Sequence, residues 1–297
     1  MKCWLLIPAV LLFACNQPKD LKIAYHTSED FNEYWYKSQA ELSHYKLTQA
    51  RYGELREGDA VLIFVTEHLS PATLIKTDNA DNKGIPVLKL NHTRNFKTGV
   101  YPYSVMTSVF TPVNFAENTR TLKVSFSAQE WCGQVFQMLK WKGSGYSGSL
   151  HSYFEGEGDE DISISPTLLE DEIFNKIRIN PESLPVGDIE LVPSMLFLRL
   201  MHEEFKAYSA SAILKKENEN QIYRLNYPEL EREVVIYFEE NFPFKILKWT
   251  ESYPDGFGNN KSLLTTTATL DTTIMLDYWK RNSLADSIYR TQLGLGL

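Results

Sequence analysis

The chain has 297 residues and a formal charge of −8, with 43% apolar and 13% aromatic content. That is enough apolar material for a large core, which argues against disorder. With no basic run of five or more residues, nucleic acid is excluded as a partner and anionic head groups are disfavoured.

In chain order, Lys2 is followed by an apolar run, Trp4 to Leu12, that closes in Leu12-Phe13-Ala14-Cys15. A positive start, a short apolar stretch and a small residue before a cysteine read as an export signal over residues 1–14. The run is shorter than the roughly 20 residues a spanning helix requires. The four residues resemble a bacterial lipobox. That resemblance implies lipid on Cys15, cleavage before it, and a polar linker over 15–28 that holds a soluble body off a membrane. Asn16, where an aspartate would favour inner-membrane retention, implies the outer membrane facing the periplasm. An ordinary cleaved signal, or a short anchor with a chance cysteine, stays open. Cys3 would leave with the signal, so Cys132 is the one unmodified thiol and no internal disulfide is expected.

Residues 29–164 read as a β-rich N-terminal half. Ser28 caps a short helix near 29–39 with Phe31, Tyr34 and Trp35 on one face. Alternation at Tyr45, Leu47 and Gln49, a turn at Arg56 to Asp59 and the apolar run Ala60 to Thr66 predict a hairpin. Strands follow at Pro86 to Leu90 and Gly99 to Val113, with a turn at Asn95 to Thr98. The clearest half-buried strand holds Leu122, Val124 and Phe126, paired with Val135 to Trp141. Gly143 to Gly148 reads as a turn, because the lysine and helix of a phosphate loop are missing. The acidic tip Glu155 to Asp161 reads as a solvated hairpin end or a calcium-binding loop.

Residues 165–290 read as helices plus an antiparallel meander sharing one body with the first half. One helix is predicted from Ser165 with Pro166 in its first turn, and a second, or a buried strand, between Pro193 and Glu204. Five strands follow at 208–214, 221–226, 232–238, 244–252 and 263–276. The threonines of 265–273 suit an exposed or edge strand. Short connections favour antiparallel pairing. The expected fold is mainly β: a curved antiparallel sheet, half-barrel or barrel-like, with two or three helices.

The strand ending in Phe238, the turn Glu239 to Pro243 and the return Phe244 to Trp249 resemble the half-barrels of outer-membrane lipoprotein carriers and receptors over residues 190–280. Gln49 to Glu54, Val61 to Glu67 and Gln129 to Gln134 resemble an uncharacterised bacterial lipoprotein family sometimes labelled septum-formation inhibitor. That label belongs to Maf-type nucleotide pyrophosphatases, whose Arg-Arg segment is missing from this sequence.

Glu130-Trp131-Cys132 is the most chemical cluster. A cysteine nucleophile needs a base that lowers its pKa; the bland alternative is a buried cysteine and tryptophan at a strand bend, with Gly133 relieving a bulge. Six scattered histidines give no metal-ligand spacing and no cofactor motif is present, so neither is expected. Trp131, Trp141 and Trp249 either wall a ligand cavity or fill a core. The leading expectation is a noncatalytic lipoprotein holding a lipid-like ligand or docking an envelope protein. The alternative is a cell-envelope hydrolase with a carboxylate or Cys132-based site.

Overall fold

The structure, a computed structural model, describes residues 27–77, 84–113 and 120–296. The expected signal, Cys15 and most of the linker lie outside the described residues. Helix α1 (Glu29–Trp35) begins at Ser28, whose Oγ accepts the Phe31 N–H, and buries Phe31 and Trp35. Eight strands follow: β1 (Ala40–Arg51), β2 (Glu54–Leu69), β3 (Ile85–Thr98), β4 (Tyr101–Pro112), β5 (Lys123–Glu130), β6 (Gly133–Trp141), β7 (Tyr146–Ser152) and β8 (Asp159–Ile164). The middle of the chain holds β9 (Leu168–Leu169), α2 (Ile173–Ile179), β10 (Gly187–Val192) and α3 (Met195–Met201). The rest is β11 (Tyr208–Glu217), β12 (Asn220–Tyr227), β13 (Arg232–Glu239), β14 (Ile246–Asp255), β15 (Ser262–Leu276) and α4 (Ile288–Gln292).

All fifteen strands form one curved, unclosed sheet in the order β8 to β1, then β15 down to β9. Every pairing is antiparallel except β9 with β10. The mainly β expectation holds, with four short helices among the described residues where two or three were expected. Two meanders are joined where β1 pairs with β15, from Ala40↔Leu276 to Thr48↔Thr267. The sheet's outer strands, β8 and β9, are linked by Ser165-Pro166-Thr167. At most about 14 Å of extended chain separates Ile164 from Leu168, so the sheet curls nearly back on itself.

Several boundaries differ from the sequence reading. The β1–β2 turn is at Tyr52-Gly53, both with positive φ (60° and 76°), the geometry a twisted two-residue hairpin demands. Arg56 to Asp59 therefore continues β2. Gly58 serves close packing instead of a turn, since a Cβ there would lie 2.3 Å from the Asn95 carbonyl oxygen. Asn95 to Thr98 likewise stays in β3, and the turn is Gly99-Val100. No helix starts at Ser165; β9 and a single 3-10 turn, Glu170–Glu172, precede α2. The threonine-rich β15 is a central strand, because Thr266 Oγ1 accepts from the Ala50 N–H and Gln49 side chain inside the sheet.

The concave side is filled by α2 and α3. Asn175 on α2 donates its Nδ2 to the Leu88 carbonyl (2.9 Å) and Thr111 hydroxyl (3.0 Å). The Arg178 guanidinium makes two hydrogen bonds to Glu41 on β1, 2.6 and 2.7 Å, both side chains being fully buried. A second chain of charges runs from Tyr227 through Glu170, Arg232, Glu251 and Arg94 to Gln49, tying both meanders together. A gap inside, beside His92, Asp171, Phe174 and Trp249, is about 30 Å³, room for a water and not for a ligand.

These carboxyls give stability opposing pH slopes. Burial raises Glu251, yet Arg94 and Arg232 outweigh it and hold the carboxyl at about 2; its contribution is complete above the unfolded value of roughly 4.3 and is lost as pH falls toward 2. Asp171, which accepts the Met195 N–H at the start of α3, is pushed by burial from 3.8 to about 7. Its neutral form fits the fold, so its contribution is fullest below 3.8 and fades as pH rises through about 7. Asp171→Asn is expected to remove that fade, seen as a flatter thermal midpoint between those limits; an unchanged slope would contradict the assignment.

Candidate functional site

Glu130, Trp131 and Cys132 sit together on the β5–β6 turn. The Glu130 carboxylate accepts the Cys132 N–H at 2.6 Å. The thiol is exposed and no histidine hydrogen-bonds it among the described residues. Glu130 beside it pushes the thiol's pKa up, the reverse of what an activated cysteine needs. Trp131 is 71% exposed and faces Tyr101 at 6.4 Å. The turn belongs to one end of the sheet, with the β1–β2, β3–β4 and β14–β15 turns and the C-terminus of α3.

The other two tryptophans lie elsewhere. Trp249 is fully buried, packed on Tyr45 (4.8 Å) and Phe174 (5.4 Å); it is core. Trp141 stands toward the opposite end, edge-on to Tyr146 at 5.2 Å and under the Arg120 guanidinium at 5.3 Å. The acidic tip is engaged by protein groups: Glu157 accepts from Ser152 and meets Arg199 and His202.

A wide opening lies on the convex side, where strand alternation would ordinarily place polar residues. Ala40 and Leu42 on β1, Val61, Ile63 and Val65 on β2, and Ile274 and Leu276 on β15 make an apolar stripe there. The register puts Leu42 opposite both Ile63 and Ile274. Chain following β15 folds across this stripe. It is held by Asp277 with Arg281 (2.7 Å), by a capping box between Ser283 and Asp286, and by Arg290 on the Gly296 carbonyl (3.0 Å). Arg281's hydrogen bond holds the Asp277 carboxyl below its usual range. Leu293, 4% exposed, plugs one side.

Between this strap and the sheet runs a groove of about 780 Å³, floored by Val61, Ile63, Met106 and Ile274 and rimmed by Asp59, Arg281, Asp286 and Arg290. Beside it His44, 2% exposed, lies between Asp59 (2.8 Å) and Asp271 (3.2 Å). Gly294 covers the imidazole with φ +81°, and a Cβ there would come within 2.7 Å of Asp271 and 2.8 Å of His44. Sequence reading missed this site, although the apolar outward residues Leu42, Val61 and Ile63, breaking the alternation, were its one visible sign. The chain matches no family model, no curated protein and no solved structure in these three comparisons.

Proposed function

We propose that the chain is a noncatalytic binding protein of the cell envelope, tethered by lipid on Cys15, that holds a lipid-like ligand in the convex groove. The observation carrying this reading is the contrast in room. The gap beside Trp249 in the concave interior holds about 30 Å³, while the groove offers about 780 Å³, inside the roughly 300–1,000 Å³ typical of small-molecule sites. An apolar floor suits an acyl chain, and the charged rim suits a polar head. The lipobox resemblance supplies the address, at the outer membrane facing the periplasm.

Native mass spectrometry of the Cys15→Ser chain tests it, because any lipid found is then noncovalent. A copurifying acyl lipid is expected. Met106→Glu, a charge in the groove floor on a side chain 41% exposed, is expected to reduce occupancy at least about tenfold, since burying an unpaired carboxylate beside an acyl chain is strongly unfavourable. Gly294→Val should do the same by lifting the strap off His44. A chain free of lipid, or lipid retained equally by both variants, would overturn the assignment. Cys15→Ser should also abolish lipid labelling of the intact chain; persistent labelling would sink the tether.

A further inference from the structure

The end of the sheet that carries Trp131 holds another pocket, about 550 Å³, sharing no lining residue with the groove. Two guanidiniums are buried in its wall. Arg51, 6% exposed, donates Nη1 to the Leu200 carbonyl and Nη2 to the Tyr52 and Tyr103 hydroxyls, all neutral acceptors. Its Nε–H has no acceptor, and no described carboxylate pairs with it. Arg199 has a side chain 9% exposed and lies 3.2 Å from Glu157. That carboxylate is shared with His202 at 2.6 Å, and the Arg199 Nε–H is also without an acceptor. Burial depresses the Arg199 guanidinium; the Glu157 charge opposes this, and Arg51 adds a smaller push in the same direction as burial.

The carboxylates in the wall are already engaged. Glu130 takes the Cys132 N–H (2.6 Å) and Asp255 the Gly53 N–H (2.5 Å). Lys261, exposed at the pocket, has no carboxylate partner among the described residues. A guanidinium stays charged in a protein, and a buried charge without a counter-charge is costly. Arg51 lines this pocket with its Nε enclosed and its guanidinium 4.0 Å from the Tyr52 ring centroid. Phe257 in the wall and Trp131, on the adjoining β5–β6 turn beside Tyr101, are 69% and 71% exposed. Phe257 lies parallel to Tyr52 at 5.2 Å, leaving flat apolar faces at the opening, a pattern associated with binding surfaces.

We propose that this pocket is an oxyanion-binding site, distinct from the groove. Its ligand is a small molecule carrying a carboxylate or phosphate on a flat apolar body. Arg51 and Arg199 hold the oxyanion through paired N–H donors, the arrangement in which guanidinium recognises either group. Lys261 draws the anion in, and Phe257 and Trp131 stack on the body.

Isothermal titration of the chain with phenyl phosphate, benzoate and neutral benzyl alcohol tests this. Saturable binding of an aryl oxyanion is expected, with none for benzyl alcohol; the tighter of phenyl phosphate and benzoate names the group. Arg51→Met is expected to weaken binding about 10- to 100-fold, the effect of losing a charge-assisted contact, and Lys261→Gln about 2- to 5-fold, the effect of losing an exposed steering charge. Lys261→Gln and Phe257→Ala change exposed side chains and keep the test valid if Arg51→Met unfolds. Met106→Glu should leave this binding unchanged. No saturable binding of either oxyanion, equal binding of benzyl alcohol, or affinity indifferent to Lys261→Gln and Phe257→Ala would overturn the proposal.

Discussion

Arg178→Met is expected to destabilise the protein by about 3–5 kcal/mol, the usual consequence of removing one partner of a buried ion pair. Arg178 and Glu41 are both 0% exposed. The guanidinium also donates Nε to the Pro243 carbonyl at 2.9 Å and lies over Trp35 and Phe64 at 4.9 and 4.8 Å. Methionine would fill part of that space but leave Glu41 with only the Tyr34 and Ser43 hydroxyls. Most of the loss is thus the stranded carboxylate. The double variant Arg178→Met, Glu41→Leu should recover much of it, because two apolar side chains leave no charge unpaired. Urea denaturation of both variants checks this; a double variant no better than the single would show that packing on Trp35 and Phe64 dominates. Since the pair fixes α2 to the centre of the sheet, the single variant should also loosen the concave filling.

Trp249→Ala is expected to cost about 3–5 kcal/mol, as large-to-small changes at fully buried aromatics do. The indole separates Tyr45 from Phe174 and borders the small interior gap, which its removal enlarges. Trp249 lines neither the groove nor the pocket near Trp131. Stability should fall while lipid occupancy and aryl-oxyanion affinity, measured below the melting transition, stay unchanged. A loss of either binding at constant fold would place Trp249 in a site after all.

Much of the architecture is visible in the sequence where one face of a strand is wet. Lys123 to Ser127 alternates cleanly, and β5 with its partner β6 falls where the alternation puts them. The same logic misplaces β15: its threonines suit an outer strand, yet they line a strand flanked on both sides, because hydroxyls such as Thr266 find acceptors and donors inside. Gly58 and Ser165 misled for a different reason. Each is a turn or cap residue by local propensity; Gly58 is claimed by close packing on Asn95, while Ser165 lies in the short link between β8 and β9. The binding features were harder still. Arg51 ends a strand, and it is buried by the Leu200 carbonyl at the end of α3 together with Tyr52 and Tyr103. The convex groove combines strands from both ends of the chain with the residues after β15, so no local window contains it.

The β1–β15 seam bears on how the molecule assembles. During synthesis the first eight strands can pair in succession, each with the neighbour just made. One flank of β1 then stays open until nearly the whole chain has emerged, and its last strand must travel back to it. Such non-local closure is slow, and an unpaired strand is a template for association with another chain. Losing residues 262–276 would therefore do more than shorten the sheet. It would split it into two unequal fans, each with a raw flank prone to pair with another chain.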